Sequence, residues 1–222
     1  MKRFFVVCAM LIAFVTAASA DSLSQILFPM DFIDQEISDY VIVVFDTTTE
    51  DAEDARIIEI VAMKVSNDKM DGFPFYKYVN PETELPERVQ QLYNMYGRFK
   101  TAEERLADAP PFRDIVDEFV EYCGDLPIVM YDAQSFALPV LLREADECGV
   151  AINNKVVDLL WMARIYFQGW RSYSLFDMSV NFDYSRMPYE EPSMDAAYFL
   201  HIVKQTRKAD RLIKATVAQS IY

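Results

Sequence analysis

The chain has 222 residues, 25% of them charged, and a formal net charge of −14 at pH 7. Its length suits one domain with a full hydrophobic core. The acidic excess argues against avid, non-specific binding to nucleic acid, which depends on Lys and Arg side chains that displace counterions from phosphates.

The first 20 residues have the three parts of a secretory signal peptide. Lys2 and Arg3 form a basic start, residues 4–15 form an apolar run too short for a comfortable membrane span, and 18–20 read ASA, a small-residue cleavage site. Cleavage after Ala20 would lower the net charge from −14 to −16, because both basic residues leave with the segment. We expect a secreted, luminal or periplasmic protein that no membrane holds after cleavage. A buried N-terminal helix and an uncleaved anchor fit the pattern less well.

The rest of the chain divides into a mixed leader at 21–39, one domain at 40–208 and a C-terminal tail at 209–222. The domain begins with three apolar segments that are separated by turn-forming residues. They predict an antiparallel meander and are Tyr40–Phe45, Arg56–Val65 and Phe73–Val79.

Helical spacing of apolar residues then alternates with two further strands. The predicted strands are Leu126–Tyr131 and the start of Val156–Phe167. The predicted helices are Glu87–Tyr96, Pro111–Cys123, Phe136–Cys148, the remainder of Val156–Phe167, Leu175–Val180 and Met194–Lys208. The order predicts an α/β fold with a mixed five-stranded sheet that is flanked by helices.

Residues 41–50, VIVVFDTTTE, place Asp46 at the end of the first strand and Thr48 two positions later. Side chains at i and i+2 of a strand point to the same face. A nuclease that binds divalent metal ions needs several anionic oxygen ligands, and here one carboxylate and one hydroxyl take the two places.

Five stretches in order resemble the DEDDh 3′–5′ exonucleases, which have a ribonuclease H-like fold and include polymerase proofreading subunits, ribonuclease T and three-prime repair exonucleases. The resemblance covers residues 40–208. The stretches are VIVVFDTTTEDAEDARIIEIVAMKV, FYKYVNPETELPERVQQLYNMYG, ADAPPFRDIVDEFVEYCGDLPIVMYDAQSFALPVLLREADECG, KVVDLLWMAR and EEPSMDAAYFLHIV.

In that family four carboxylates hold two divalent metal ions, and a His serves as the general base. The resemblance places two of the four carboxylates on Asp46 and Asp195. The other two fall on Thr48 and Ala137, and the His falls on Glu190. Two metal ligands and the base are therefore replaced.

These replacements predict a pseudoenzyme that acts by binding a partner, with no cofactor expected. The partner would be an unknown protein or a cationic ligand, because the net charge disfavours nucleic acid. The alternative is a divergent exonuclease that uses Mg²⁺ or Mn²⁺ on nucleic acid, with Asp46 and Asp195 as residual metal ligands.

Other carboxylates could form a shifted metal site. They are Glu50, Asp51, Glu53, Asp132, Glu190 and Glu191. We favour instead a solvated acidic loop at 50–53 and a helix N-cap at Asp132. His201, the sole histidine, is expected to be a packed or surface helix residue, and Asp158 is expected to have a structural role.

Two further groups of residues carry predictions. The densest basic cluster is expected to be an ordinary solvated helix face and comprises Lys204, Arg207, Lys208, Arg211 and Lys214. Cys123 and Cys148 would remain after cleavage and are either a disulfide or two separate thiols. The resembled fold puts both helix ends at one edge of the sheet, so we expect a Cys123–Cys148 disulfide.

Overall fold

One seven-stranded sheet organises the protein, which a computed structural model describes at residues 24–96, 102–185 and 192–219. The strands are β1 (Ile26–Leu27), β2 (Asp39–Thr47), β3 (Ile57–Ser66), β4 (Lys69–Met70), β5 (Phe75–Tyr78), β6 (Ile128–Met130) and β7 (Val156–Asp158). Their order in the sheet is β1-β7-β6-β2-β3-β4, and β5 also pairs with β3. The first four strands in this order are parallel, and β3 runs antiparallel to β2.

Helices cover both faces of this sheet. They include α1 (Pro29–Asp34), α2 (Glu87–Tyr96), α3 (Ala102–Ala107), α4 (Val116–Cys123), α5 (Leu138–Glu147), α6 (Leu159–Tyr166), α7 (Leu175–Asn181) and α8 (Pro192–Gln219). A 3₁₀ turn at Phe112–Asp114 precedes α4, and a π-helical turn at Ala133–Ala137 precedes α5. The predicted mixed sheet with flanking helices is confirmed.

The central strand β2 alternates between two hydrophobic cores. Val41 and Val43 point to the face that α4 and α5 cover, whereas Ile42 and Val44 point to the face that α6 and α8 cover. This alternation is the period of two that an extended strand imposes. Each face therefore has its own core. Whether a residue of β2 has an odd or an even number decides which helices its side chain contacts.

The structure adds detail at both ends of the domain. In the leader, β1 pairs with β7, so two short strands, β1 and β4, extend the five that the sequence predicts. At the other end α8 continues past Lys208 to Gln219, into the region predicted as a tail. Its last turns are exposed, and apolar packing therefore gave no periodic signal there.

The predicted signal peptide lies outside the described residues. Within the described ranges, none of the helices combines the length and the apolar character that a membrane span requires.

The expected Cys123–Cys148 disulfide is wrong, because both residues are free thiols. Cys123 is buried in the core under α4, where burial raises the pKa of its thiol to about 12. Cys148 follows α5 and lines a surface groove beside Arg113. Cys123 thus lies inside this core, whereas Cys148 packs at its edge and is partly exposed.

Asp158 hydrogen-bonds to two segments at the edge of the sheet where the parallel strands end: the start of α6 and the turn after β6. Its carboxylate accepts hydrogen bonds from the backbone N–H groups of Leu160 (2.9 Å) and Trp161 (3.2 Å), which caps α6. It also accepts one from the N–H of Gln134 (3.1 Å) in the turn that follows β6. Burial raises the pKa of Asp158 to about 6, although these three N–H groups oppose the rise. The predicted structural role of this residue agrees with these contacts.

The raised pKa of Asp158 makes folding stability depend on pH. The folded protein binds this proton more tightly than the unfolded chain, so the stabilising contribution is complete below pH 3.8 and is lost as pH rises through about 6. The shift corresponds to about 3 kcal/mol. Asp158→Asn should therefore gain stability relative to the unsubstituted protein by up to that amount between pH 4 and pH 7, as measured by urea unfolding at several pH values. A stability difference that does not change with pH would contradict the assignment.

Candidate functional site

Asp46 and Asp195 lie on the same face and at the same end of the sheet. Asp46 continues the parity of Ile42 and Val44, so its side chain lies on the α8 face. Asp195 is in the first turn of α8, next to Ala196, which is buried in the same core as Val44. The two carboxylates that the sequence assigns to a residual metal site thus lie on the same side of the sheet.

A ring contact fixes this end of α8. Tyr131 follows β6 directly, and its ring centroid lies 6.1 Å from that of Phe199, one turn beyond Asp195. The Tyr131 hydroxyl donates to the carbonyl of Tyr173 (2.9 Å), which holds the loop after α6 in place. The start of α8 therefore lies against the carboxyl end of β6, beside β2.

Thr48 is used to close the loop between β2 and β3. Its N–H donates to the carbonyl of Arg56 (2.9 Å), and its Oγ1 accepts from the Arg56 N–H (3.0 Å). The pairing register of β2 and β3 shifts between Asp46 and Thr47, and such an irregularity re-aims the side chains beyond it. Thr48 is 6% exposed. Its hydroxyl bonds to the loop backbone, at the position that the sequence resemblance pairs with a metal-binding carboxylate.

Ala137 has no donor atom, and it packs into the hydrophobic core on the α4 and α5 face. It ends the π-helical turn, whose N–H groups at Phe136 and Ala137 bond to the carbonyl of Asp132. The predicted N-cap at Asp132 is wrong in its chemistry: the residue is in the left-handed region (φ 49°), and its side chain makes no capping bond. Glu190 lies outside the described residues.

The acidic loop after Thr48 is held by contacts with two helices and with its own backbone. Glu50 pairs with Arg88 on α2 (3.1 Å), and a carboxylate oxygen of Asp51 accepts from the Glu53 N–H (3.0 Å). The guanidinium of Arg143 on α5 donates to three carbonyls of the loop, those of residues 52, 53 and 55. These contacts, and the exposure of Glu50, Asp51 and Glu53, agree with the prediction of a solvated acidic loop.

Glu59 is a site residue that the sequence reasoning missed. It is the cross-strand partner of Asp46, and directly opposed side chains lie on the same face of an antiparallel pair. It is 3% exposed, and the Tyr76 hydroxyl donates to it (2.7 Å). The signal was available, because Glu59 is an acidic residue inside the otherwise apolar start of β3.

The donor set of this site does not fit a centre of two metal ions. Asp46, Glu59 and Asp195 supply hard oxygen atoms on one face, but a pair of divalent ions needs more anionic ligands than these. Among the residues that the structure describes, no three His, Cys, Asp or Glu side chains are placed to hold one ion together. The positions of Thr48 and Ala137 contribute to packing and hydrogen bonding instead.

His201 belongs to an aromatic cluster and not to the Asp46 site. Its ring centroid lies 4.8 Å from that of Tyr184 and 5.8 Å from that of Phe182. Burial, and secondly the charge of Lys204, lower the pKa of His201, so its ring is neutral at neutral pH. The predicted role as a packed helix residue agrees with these contacts.

A groove of about 400 Å³ lies on the other face of the sheet, where Cys148 and Phe112 contribute to its wall. Its cations are already paired: Arg56 with Glu144 (3.2 Å) and with Glu147, and Arg113 with Glu82. The groove therefore presents a neutralised lining to any anionic ligand.

Comparison with known proteins identifies relatives of this arrangement. The family model RNase_T, described as "Exonuclease", matches residues 43–186. DNA polymerase III subunit epsilon of Rickettsia felis is 29% identical over 136 residues, which are 57% of this chain and 56% of that protein. The same subunit of Escherichia coli K12 is 29% identical over 126 residues, covering 54% of this chain and 49% of that protein. The chain thus spans about half the length of these relatives.

Solved structures show the same fold. Escherichia coli exonuclease I in complex with a dT13 oligonucleotide has a TM-score of 0.64 at 15% identity, over 80% of this chain and 43% of that chain. A zinc-bound exonuclease I complex with single-stranded DNA has a TM-score of 0.65 at 15% identity, over 82% and 43%. At this identity the likeness establishes the fold alone.

Replacement of Arg143 by Met should release the acidic loop, because three backbone carbonyls lose a charged donor. We expect a destabilisation of about 2–3 kcal/mol and faster hydrogen exchange at the amides of Asp54 and Ala55, which bond back to Asp51. Arg88→Met is the matched control, since the exposed Arg88–Glu50 pair contributes about 0.5 kcal/mol or less. Equal effects of the two substitutions on unfolding and exchange would contradict the proposed role of Arg143 in holding the loop.

Proposed function

The chain belongs to the exonuclease family that the RNase_T model describes, and from that premise we propose that it is a secreted member that has lost metal-dependent hydrolysis and acts by binding a partner. In this proposal the domain keeps the fold of the family, and binding of a partner takes the place of hydrolysis. Export rests on the signal-peptide pattern of residues 1–20.

One observation carries the loss of hydrolysis. The sequence resemblance pairs Thr48 and Ala137 with metal-binding carboxylates of the family, and in the structure both side chains have other roles: Thr48 bonds to the loop backbone and Ala137 packs in a core. Asp46 and Asp195 remain on one face with Glu59, but these three carboxylates are fewer than two divalent ions need. Glu190 at the position of the base adds a third sequence difference.

A second candidate function is a divergent metal-dependent 3′–5′ exonuclease that acts on nucleic acid. The comparisons favour it, since the curated relatives are polymerase subunits and the structural neighbours are exonucleases. The placement of Glu59 opposite Asp46 also favours it, because a third buried carboxylate on that face partly compensates for Thr48. A single ion that is held through Asp46 and Asp195 would be the cofactor in this case.

A nuclease assay separates the two candidates. The purified chain is incubated with single-stranded DNA and RNA in the presence of Mg²⁺ or Mn²⁺, beside Asp46→Ala and Asp195→Ala. We expect no release of nucleotides above the level of these variants. Turnover that Asp46→Ala abolishes would refute the loss of hydrolysis and establish the second candidate. Glu59→Gln would then test whether the Glu59 carboxylate compensates for Thr48.

Metal binding gives an independent measurement. The double substitution Thr48→Glu and Ala137→Asp should create affinity for Mn²⁺ that the parent lacks, since it restores the carboxylates that the family uses. The control is Thr48→Gln with Ala137→Asn, which has the same shape without the charge. Calorimetry measures binding, and circular dichroism verifies that each variant is folded. A folded double variant without Mn²⁺ affinity would show that these positions do not meet at Asp46.

A further inference from the structure

Two neighbouring surfaces of this protein have opposite charges. Residues 24–39, which include α1, contain four acidic residues and no Lys or Arg. Residues 204–219, in the second half of α8, contain five Lys or Arg residues and one acidic residue, Asp210. The ammonium group of Lys214 lies 2.7 Å from the carboxylate of Asp34 on α1. The acidic and the basic surface therefore adjoin on one side of the molecule.

The last turns of α8 combine this positive charge with exposed apolar side chains. Residues 211–219, which we call the α8 tail, are all exposed, and Leu212, Ile213 and Val217 are each about half exposed or more. At 100° per residue, Ile213 and Val217 lie within about 20° of Thr206, which is fully buried. The side of the helix that packs against the sheet thus continues into the tail, where it meets solvent.

The helix α1 presents a second apolar surface, and the fold holds this one in place. The ring centroid of Phe28 lies 4.9 Å from that of Trp161 on α6. Phe28 and Met30 are nevertheless each 43% exposed, and aromatic and Met side chains of this kind are enriched in protein interfaces. Asp31 and Asp34 are exposed beside them. We call these four residues, Phe28, Met30, Asp31 and Asp34, the α1 patch.

We propose that the α8 tail binds the α1 patch of a second copy of this chain, and that the reverse contact forms at the same time across a two-fold axis. In a two-fold dimer each surface meets its complement on the partner. Here a basic apolar helix end adjoins an acidic apolar patch, so the combined surface is complementary to itself. The inference goes beyond the proposed function, because neither surface includes Asp46 or Asp195.

The size of the two surfaces favours the reciprocal contact over a single one. The α8 tail is about 14 Å long at the helical rise. A specific interface usually buries about 800 Å² on each partner, which is more than one short helix end provides. Two-fold symmetry uses the tail and the patch of both copies and therefore doubles the contact.

The charges also favour a second copy over an anionic membrane. A flat anionic surface that reaches Lys214 also approaches Asp34 and Asp31, which repel it. A second copy offers carboxylates to the tail and cations to the patch. The net charge of −14 opposes association at long range, but the Debye length is roughly 8 Å at physiological salt, so local charges decide the contact.

Analytical ultracentrifugation of the purified chain between about 1 and 100 μM tests the proposal. We expect the mass to rise from one chain to two and no further. Leu212→Ser with Ile213→Ser should weaken the dimer about tenfold or more, because apolar surface that the contact would bury stays in water. Phe73→Ser is the matched control and should change nothing, since Phe73 is a 92% exposed apolar residue between β4 and β5.

Mixing of two charge-reversed chains tests which surfaces meet. The tail variant has Arg211→Glu and Lys214→Glu, and the patch variant has Asp31→Lys and Asp34→Lys. Each variant alone should be monomeric, because like charges face each other at both contacts. An equimolar mixture should form dimers again, since one contact then has reversed charges and the other is unchanged. Circular dichroism verifies folding, and loss of the exposed Lys214–Asp34 pair should have little effect on it.

Three results would overturn the proposal. The first is a chain that stays monomeric over the whole concentration range. The second is a dimer that the two serine substitutions do not weaken, or a mass that continues to rise beyond two chains. The third is a mixture of the two charge-reversed variants that stays monomeric although the parent forms dimers, which would assign the contact to other surfaces. Nuclease turnover would refute the loss of hydrolysis but would not alter these measurements.

Discussion

The two-sided burial of β2 is the constraint on which the rest of the structure depends. The strand lies between β6 and β3, and its alternate side chains enter two different cores. A shift of one residue would exchange both sets, so its register is strongly determined. The same alternation directs Asp46 and its cross-strand partner Glu59 to the face that α8 covers. The position of the candidate site is thus a consequence of how the core is packed.

Around that site, residues at and near the positions that the resemblance pairs with metal ligands stabilise the fold. Thr48 bonds to both backbone polar groups of Arg56, Ala137 adds to a core, and Arg143 holds the carbonyls of the acidic loop. Buried polar groups need such partners, so each replacement is compatible with a stable domain without a bound ion. The physical argument for a binding protein is that these groups already have hydrogen-bond partners or core contacts. The argument for an enzyme is the family relationship.

The charge distribution adds a second region to the molecule. The acidic loop and α4 are rich in carboxylates, whereas the second half of α8 has five Lys or Arg residues and one Asp. Net charge describes solubility and long-range repulsion, but contact depends on the charges within about a Debye length.

The sequence determined the fold class, most element positions and the family, because hydrophobic periodicity and ordered motifs are local properties. It also determined that Thr48 and Ala137 have no carboxylate. Tertiary structure decided what the sequence could not: that Cys123 and Cys148 remain apart, that Glu59 faces Asp46, and that Arg207 and Lys214 are neutralised while Lys208 is not. These facts depend on the directions of side chains from distant segments. Strand register and helix packing set those directions, and no local pattern encodes them.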